Sequence, residues 1–588
     1  MNTWEAILSH VARRLSEAAG GVPVQTSEVV IPPTADVGDL AFGCFKLAKI
    51  LKKNPAELAT QLAETLTGTD VTIASAVAAG PYVNFRLHLP SLMQRVTAEA
   101  LLQGEAYGQN DLRTSETILF EYANPNTHKE IHVGHLRNFI LGASLVRILR
   151  RSGATVIPVS YINDIGTHVA KCLWQLVTSR GISVVRFGME QVHTVIDAVP
   201  LEKHTARYLG QIYADATKAL EEKSEEKMAQ VSAVHAALER HDPAWEMLWR
   251  ETKRWCMDEM VHIFDELGVR IERQFFDSEC VDRAHVILNQ LETKGIAKMS
   301  QGALVIDMET EKLGFMLLRK SDGSLLYAAK DLALAEMKLH EYPHLDQSLV
   351  LVDVRQALNF RQLAEALKRM GIHQTFGYLG YELVTLPDGT MSSRKGNIIT
   401  FHTFRDTVNE QAKTTTAQRH PDWNEGKVEY TAWCLAQAGM KYGMLKQDPE
   451  KIITFDIQAA LAFDGDTGPY IQYAVTRLGS ILKKAKVKDY LQSDLDFSGL
   501  NERAERALLL RVAHFSDICQ RASREMKPSI ISQWCFALAQ DVHAFYRDIP
   551  VLDAAFGVKQ ARLQLVILAR LTLIQGLDLL GIAVPEEM

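Results

Sequence analysis

The chain has 588 residues, of which 47% are hydrophobic and 23% charged, and its formal net charge is −7. Single hydrophobic cores stop growing near about 250–300 residues, so the length predicts several domains of ordinary globular composition. No apolar run reaches the roughly 20 residues that cross a bilayer, and the N-terminus lacks a basic-then-apolar secretion signal. We therefore expect a cytoplasmic protein without a membrane span. The net negative charge is only a weak argument against a nucleic-acid partner, because an acidic protein can still have a locally basic surface that binds nucleic acid.

The seven cysteines are scattered along the chain and form no CxxC pair. This pattern supports neither a zinc site nor a disulfide framework. We interpret most of the cysteines as small core residues, and we expect no metal site built by the protein.

Residues 1–112 predict a separate N-terminal α+β domain. Apolar residues recur at helical spacing in three segments and alternate in two others. The predicted helices span 4–19, 41–51 and 56–66, and the predicted strands span 71–76 and 82–87.

Residues 113–400 predict a Rossmann-like catalytic domain with a parallel sheet. A buried strand at 118–120, a helix at 138–150 and a strand at 155–160 form a βαβ unit. The charged, helical segment at about 174–283 is interpreted as an insertion between two halves of the fold. Strand signals return at 303–306 and 349–352.

Residues 401–588 predict an all-α helical bundle. Their apolar residues keep helical spacing with few strand signals. The predicted helices span 430–444, 470–486, 502–519, 530–546 and 560–580.

The segment His132-Val133-Gly134-His135 lies where the first predicted strand of the catalytic domain passes into a helix. Free backbone N–H groups and the helix dipole favour an anion at such a turn. Gly134 lacks the side chain that would block a flat base, and Lys129 adds a positive charge upstream. A single histidine would more simply be a helix cap, but two histidines flanking a glycine favour a nucleotide site.

A second polar segment, at 388–397, contains Met391, Ser392, Arg394 and Lys395. A short loop with these cations can fold over a polyphosphate and stabilise charge on departing pyrophosphate. An ordinary surface turn is the alternative, since Asp-Gly and Gly-Asn are common turn dipeptides.

Together, and in this order, the two segments resemble the HIGH and KMSKS signatures of class I aminoacyl-tRNA synthetases. The pattern Pro-Asn-x-x-Lys-x-x-His-Val-Gly-His-Leu-Arg is similar to that of arginyl-tRNA synthetases in particular. The loop departs from the signature, because Thr390 and Ser393 stand where the two lysines are expected. The resemblance implies that Lys129 takes over the phosphate role of the second lysine, while Arg394 and Lys395 supply further charge.

The resemblance also implies an arginine pocket. A guanidinium is planar and permanently charged, so burying it requires carboxylates nearby. Lys330 stands where the family has an arginine, which is a small departure. The residues implied to bind arginine are Glu121, Asn126, Tyr327, Asp331 and Gln356.

Contacts with tRNA are implied at both ends of the chain. The N-terminal domain of the family touches the outer corner of the tRNA, and the segment 463–474 resembles the entry to its anticodon-binding domain. Exposed aromatic side chains can stack on unpaired bases, although core aromatics at a helix start are an equally good interpretation. The candidates are Tyr470, Tyr473, Phe545 and Tyr546.

The function implied is that of an arginine–tRNA ligase with L-arginine, ATP and tRNA(Arg) as substrates. Mg²⁺ is expected as an ATP-associated ion, and a monomer is expected. Two alternatives stay open at this point. One is another class I ligase, such as a lysine-specific enzyme, and the other is a catalytically silent tRNA-binding paralogue.

Overall fold

A computed structural model describes residues 2–34, 36–68, 70–221, 224–321, 323–385, 387, 399–487 and 491–588. Its N-terminal part is an α+β domain with a four-stranded antiparallel sheet of order β1-β2-β4-β3. The elements are α1 Thr3–Ala18, β1 Val29–Val30, β2 Leu40–Gly43, α2 Phe45–Leu51, α3 Pro55–Leu66, β3 Ile73–Ala79, β4 Tyr82–Leu87 and α4 Leu89–Gln103.

The helix predicted from residue 41 begins four residues later. Residues 40–43 instead form β2, which pairs with β4 so that Leu40 lies opposite Phe85. Leu40 and Phe42 are buried, and pairing against a neighbouring strand outweighs local helical propensity at such positions.

The catalytic part is built on a five-stranded sheet of order β12-β11-β5-β6-β7, and every neighbouring pair in it is parallel. Its elements are β5 Thr117–Glu121, α5 Val133–Arg151, β6 Thr155–Ile162, α6 Thr167–Thr178, α7 Met189–Asp197, α8 Ala206–Leu220, α9 Glu225–Glu239, α10 Pro243–Leu267, β7 Arg273–Phe276, α11 Asp277–Thr293, β8 Lys298–Ser300, β9 Ala303–Met308, β10 Gly314–Arg319, α12 Tyr327–Glu341, β11 Gln347–Asp353, α13 Ala357–Arg369, β12 Thr375–Tyr381 and β13 Val384–Thr385.

This strand order confirms the Rossmann-like prediction. The chain runs from β5 outward to β7, then crosses over and continues from β11 outward to β12. The order therefore reverses between β5 and β11, and ligands of open α/β sheets bind at the carboxyl ends of strands at such a switch point.

Two predicted segments take different positions from those expected. The segment 174–283 includes β7, which pairs with β6 in the parallel sheet, so its last part belongs to the sheet. The strand expected at 303–306 lies in β9, in a separate antiparallel sheet of order β10-β9-β8. Helices α6 to α10 pack around a core of their own that includes Leu173, Trp245 and Trp255.

The C-terminal part is helical, as predicted. The helix expected over 502–519 is interrupted at His514, whose ring lies 3.8 Å from the ring of Trp4 in the N-terminal domain. The elements are α14 Phe401–Arg419, α15 Glu425–Leu445, β14 Ile453–Thr454, α16 Ile457–Ala460, α17 Gly468–Ala485, α18 Arg503–Ala513, α19 Phe515–Glu525, α20 Pro528–Asp548 and α21 Phe556–Leu579.

A buried carboxylate joins the two ends of the chain. Asp39 of the N-terminal domain accepts hydrogen bonds from Arg86 at 3.1 Å and from Arg506 of α18 at 2.6 Å. Because Asp39 is almost fully buried, removing either arginine would leave an incompletely compensated charge. All seven cysteines are buried and free. Of the helices described, none has the length and apolar character needed to cross a membrane.

Candidate active site

The turn at 132–135 is fixed by its own histidines. His132 is the N-cap of α5, and its Nδ1 accepts a hydrogen bond from the N–H of Gly134 at 3.1 Å. His135 Nδ1 accepts in turn from the N–H of His132 at 3.2 Å. The two rings stack with centroids 3.9 Å apart. A Cβ on Gly134 would lie 2.9 Å from the His132 ring, so the stack requires glycine at this position.

This capping decides which nitrogen of each ring carries the proton. Burial, followed by the charge of Lys129, lowers the pKa of His132 to about 4. Burial also holds the pKa of His135 well below its ordinary value, with His132 and Lys129 as lesser causes. Both rings are therefore neutral at pH 7, and because Nδ1 accepts, the proton lies on Nε2. Two neutral N–H donors thus remain for a ligand at the start of α5, where the helix dipole favours an anion.

The chain that follows residues 388–398 returns to the histidine turn. Val133 N–H donates to Ile399 O at 3.2 Å, and Phe401 N–H donates to Ile131 O at 2.7 Å. These bonds pair the turn with the chain at the carboxyl side of the predicted phosphate loop. Four predicted ATP-binding residues lie outside the described residues: Met391, Ser392, Arg394 and Lys395.

Arg137 anchors the same helix to the C-terminal half. Its side chain is 1% exposed, and its Nη1 donates to Glu382 O at 2.5 Å and to Lys451 O at 2.7 Å. Burial lowers the pKa of this guanidinium to about 10, so it stays charged at pH 7. Carbonyls just before β13 and just before β14 thereby hold α5 in place.

The predicted arginine pocket is a cluster of charges at the carboxyl ends of β5 and β6. Glu121 ends β5 and forms a buried ion pair with Lys338 of α12. Asp277, the first residue of α11, binds Lys330 Nζ at 2.6 Å and accepts from the Tyr161 hydroxyl at 2.5 Å. Two carboxylates are thus matched by two lysines.

Asp331 is the third carboxylate of this cluster. Burial raises its pKa to about 7, and the negative charge of Glu121 adds to the shift while Lys338 opposes it. Three acids against two lysines leave one negative charge, so a single cation would neutralise the cluster. Glu121 and Asp331 thus belong to one cluster, whose charge balance suits a guanidinium.

The other predicted pocket residues lie around this cluster with looser contacts. Tyr327 begins α12 one turn before Asp331 and is 68% exposed. Asn126 is half-buried and forms a backbone bridge with Asn163 beyond the end of β6. Gln356 follows β11 and is exposed. Tyr327 and Gln356 are thus exposed, and Asn126 is partly accessible.

Lys129 lies between the turn and the insertion. Its Nζ lies 4.9 Å from the centroid of the Tyr213 ring on α8. Its positive charge contributes to the lowered pKa of both His132 and His135. A phosphate bound there would meet one charged and two neutral donors.

The predicted tRNA-binding aromatics divide into exposed and buried positions. Tyr546 is 38% exposed, and the Arg477 guanidinium lies 3.9 Å from its ring centroid. Arg477 also bonds the Tyr473 hydroxyl at 3.1 Å, and Tyr470 packs near His543 at 4.7 Å. Phe545 is fully buried in the helical core. The prediction for Phe545 is therefore corrected, because its ring faces the bundle and has no surface to offer a base.

Several residues of the site had not been singled out from the sequence. Lys338 stands seven residues after Asp331, two helical turns along, which places both on one face of α12. That spacing is a usable signal for Lys338. Asn124 and Arg477 also have near neighbours as partners, Glu121 and Tyr473, whereas Arg137, Tyr161 and Asp277 meet their partners across long stretches of chain. The residues are Asn124, Arg137, Tyr161, Asp277, Lys338 and Arg477.

Family comparisons agree with this geometry over nearly the whole chain. The model described as tRNA synthetases class I (R), catalytic domain, matches residues 96–456. The arginyl tRNA synthetase N terminal domain matches residues 5–87, and the DALR anticodon binding domain matches residues 471–588. The domain that holds the sheet is thus the catalytic domain of a class I aminoacyl-tRNA synthetase.

Individual relatives show to which family of class I synthetases the chain belongs. An arginine–tRNA ligase of Bdellovibrio bacteriovorus is 37% identical over 95% of this chain and 94% of its own. One from Chloroflexus aggregans is 31% identical over 97% of both chains. The chain belongs to the arginyl-tRNA synthetase family, which confirms the resemblance. The arginyl-tRNA synthetase of Thermus thermophilus superimposes with a TM-score of 0.74 at 27% identity, covering 99% of this chain and 100% of that one.

Proposed function

We propose that this protein is an arginine–tRNA ligase that works in the cytoplasm as a monomer. The observation that carries the substrate choice is the charge cluster of three acids and two lysines. It lacks one positive charge, and it lies beside two neutral imidazole donors at the start of α5. A cationic amino acid would therefore bind at the charge cluster, and a nucleotide phosphate would bind next to it at the imidazole donors.

In the first step, an arginine carboxylate oxygen attacks the α-phosphorus of ATP. A new O–P bond forms, the bond to the β-phosphate oxygen breaks, and pyrophosphate leaves. His132 and His135 donate Nε2–H hydrogen bonds to the reacting phosphate, and Lys129 adds positive charge. In this proposal Met391, Ser392, Arg394 and Lys395 cover the departing pyrophosphate.

In the second step, a hydroxyl of the terminal tRNA ribose attacks the activated carbonyl. The new ester bond replaces the bond to AMP, which leaves with its electron pair while the hydroxyl proton passes to solvent. Protein groups do little covalent work here. Positioning and charge stabilisation therefore account for the catalysis we propose.

Arginine would lie with its guanidinium at Asp331 and Tyr327. Asn126 and Gln356 would meet its α-ammonium or α-carboxylate with neutral dipoles, while Glu121 completes the wall of the pocket. A site built around a guanidinium rejects lysine because buried acceptors would be left without donors. This distinguishes the proposal from a lysine-specific ligase.

Mg²⁺ would arrive bound to the phosphates of ATP, which is how this ion commonly enters nucleotide sites. Among the residues that the structure describes, no group of three or more His, Cys, Asp or Glu side chains is arranged to hold a metal. The phosphate oxygens would thus be its principal ligands. We infer further that tRNA(Arg) contacts the N-terminal domain of residues 1–112 and stacks on Tyr470, Tyr473 and Tyr546 of the helical domain, residues 401–588.

Arginine-dependent exchange of pyrophosphate into ATP, with and without cognate tRNA, tests the proposal. We expect exchange with arginine only, and formation of arginyl-tRNA when tRNA is present. Exchange that depends on lysine would overturn the substrate choice. Tight tRNA binding without exchange or charging would instead support the silent paralogue.

A further inference from the structure

The ammonium of Lys129 faces an aromatic ring of the insertion. Its Nζ lies 4.9 Å from the centroid of the Tyr213 ring on α8, and both side chains are half-buried. Within the described parts of the chain, no ion pair or hydrogen bond of this ammonium is found. An aromatic face attracts a cation but carries no net charge. Lys129 therefore keeps its full positive charge and its three N–H donors for a ligand.

The helix that carries Tyr213 packs directly against the chain next to Lys129. Gly210 lies three residues before Tyr213, so both residues are on one face of α8. A Cβ on Gly210 would lie 2.9 Å from the backbone nitrogen of Glu130, so the absence of a side chain is what allows this approach. The position of the Tyr213 ring relative to Lys129 is thus set by close packing of one backbone against another.

The first turn of α8 is held in turn by α10 and α14. Glu259 of α10 accepts a hydrogen bond through Oε2 from the N–H of Arg207 at 3.1 Å, and its Oε1 lies 2.5 Å from Nε2 of His402. His402 follows Phe401, whose N–H donates to Ile131 O just before the histidine turn. Glu259 therefore ties α8 to the part of the catalytic domain that contains Lys129.

The backbone before Lys129 is fixed by another helix of the insertion. His128 is fully buried, its N–H donates to Cys256 Sγ at 3.2 Å, and its Nε2 lies 2.8 Å from Thr252 Oγ1. The Thr252 hydroxyl donates to Leu248 O at 2.8 Å, so it accepts from His128 Nε2–H. His128 also has a φ of 56°, a left-handed conformation that a residue other than glycine keeps only where its surroundings enforce it. The chain thus enters Lys129 in one fixed direction.

We propose that Tyr213 is a positioning residue for Lys129. The insertion fixes the backbone on both sides of Lys129, and the Tyr213 ring holds the ammonium in a defined place before ATP binds. The loss of rotamer freedom of this side chain then accompanies folding and does not add to the barrier of the reaction. This inference rests on the proposed function, in which Lys129 adds positive charge at the reacting phosphate, and it gives the insertion a part in catalysis.

The test is a double-mutant cycle on the full-length protein, measured by arginine-dependent pyrophosphate exchange in the presence of cognate tRNA. Tyr213→Leu should lower kcat about tenfold, because the ammonium loses its place, while the KM for arginine stays within about twofold. In the Lys129→Met background, the same substitution should change kcat by less than about twofold, because no ammonium is left to position.

Tyr208→Leu is the matched control for the loss of packing. Tyr208 lies on the same helix and is half-buried against the same apolar core as Tyr213. Among the described residues, no cation lies over its ring. Tyr208→Leu should therefore lower the stability of the insertion much as Tyr213→Leu does, and it should leave kcat unchanged.

A series of ring substitutions at position 213 separates electrostatic attraction from packing. Tyr213→Phe and Tyr213→Trp keep an aromatic face and should retain kcat to within about threefold. Phenylalanines with one, two and three ring fluorines, incorporated by stop-codon suppression, withdraw electrons from that face at nearly constant shape. We expect kcat to fall stepwise along this fluorine series in the parental background and to stay constant along it in the Lys129→Met background.

The outcomes separate a positioning role from a structural one. An equal loss of kcat for Tyr213→Leu in both backgrounds, or a constant kcat along the fluorine series with Lys129 present, would overturn the inference. If Tyr213→Leu does not fold, the fluorine series decides alone, since its members differ little in shape. A parental protein without exchange would overturn the proposed function, whereas parental exchange that Lys129→Met leaves unchanged would overturn the role of Lys129 and this inference with it.

Discussion

The proposed nucleotide-binding turn and the proposed arginine pocket lie at the same edge of one sheet but are built in different ways. The turn is local: three consecutive contacts among residues 132–135 fix both imidazoles. The pocket takes its charges from β5, α11 and α12, and its central ion pair spans 217 positions. A contiguous motif can thus be recognised in the sequence, whereas a charge balance assembled across the fold emerges only in three dimensions.

The largest effect should follow from Asp331→Asn. A buried guanidinium that loses its carboxylate forfeits about 3–5 kcal/mol, so the KM for arginine should rise by about two to three orders of magnitude. The KM for ATP should stay within about threefold, since Asp331 belongs to the pocket and not to the turn. Steady-state exchange with each substrate varied in turn measures both values.

Asp282→Asn is the matched control for that measurement. Asp282 is an exposed carboxylate on α11, so its replacement should leave both KM values unchanged. Equal increases in the two KM values for Asp331→Asn would show that the regions do not act separately.

The second-largest effect should follow from a substitution in the histidine turn. His135→Ala removes one Nε2–H donor and one N-cap contact, and loss of a single such donor costs about 100- to 1000-fold in kcat. Arginine binding measured by calorimetry should persist. His285→Ala, at an exposed histidine of α11, is the control, and exchange near the parental rate in His135→Ala would contradict the role of the turn.

How well the sequence predicts the turn and the pocket depends on how far apart in the chain their contacting residues lie. His132, Gly134 and His135 are proposed from their order in the sequence, and Tyr546 from the resemblance of its segment to the family. Its neighbour Phe545 could not be separated from it, because adjacent helical residues face different directions and the bundle decides which one is buried. The ion pair of Lys338 could not be predicted either, since its partner Glu121 lies on strand β5, 217 positions away in the chain.

The same reasoning applies to the secondary structure. Segments whose periodicity was strong, such as β4 and α17, lie where they were predicted to within two residues. The strand at 40–43 depends on β4 for its pairing, and the break at His514 depends on Trp4 from the far end of the chain. Neither partner is visible in the local pattern.

A third prediction separates the regions by pH. With a pKa of about 4, His132 does not change its charge between pH 5 and 8. Asp331, whose raised pKa is about 7, loses its charge as the pH falls below that value. At subsaturating arginine, exchange should therefore fall about fivefold between pH 7 and 6 and about tenfold for the next unit, because only the ionised fraction binds.

Saturating arginine supplies the control for this profile. Bound guanidinium favours the ionised carboxylate, so the decline should disappear or move to lower pH. Asp331→Asn should have no such dependence at any arginine concentration. An equal decline at saturating arginine would assign the titration to the turn instead.

The smallest effect should come from Asn138, which joins the two regions. Its Oδ1 accepts from Ala123 N–H at 2.7 Å, just after β5, and its Nδ2 donates to Leu351 O of β11 at 2.9 Å. Asn138→Ala would leave both backbone groups buried without their partner, at about 1–3 kcal/mol each in the free energy of unfolding. Since the bridge spans the switch point, we expect KM to rise only a few-fold, and by a similar factor for arginine and for ATP. Denaturant unfolding and steady-state exchange, with the exposed Asn289→Ala as the control, would measure this, and a change confined to one substrate would show that Asn138 serves that region alone.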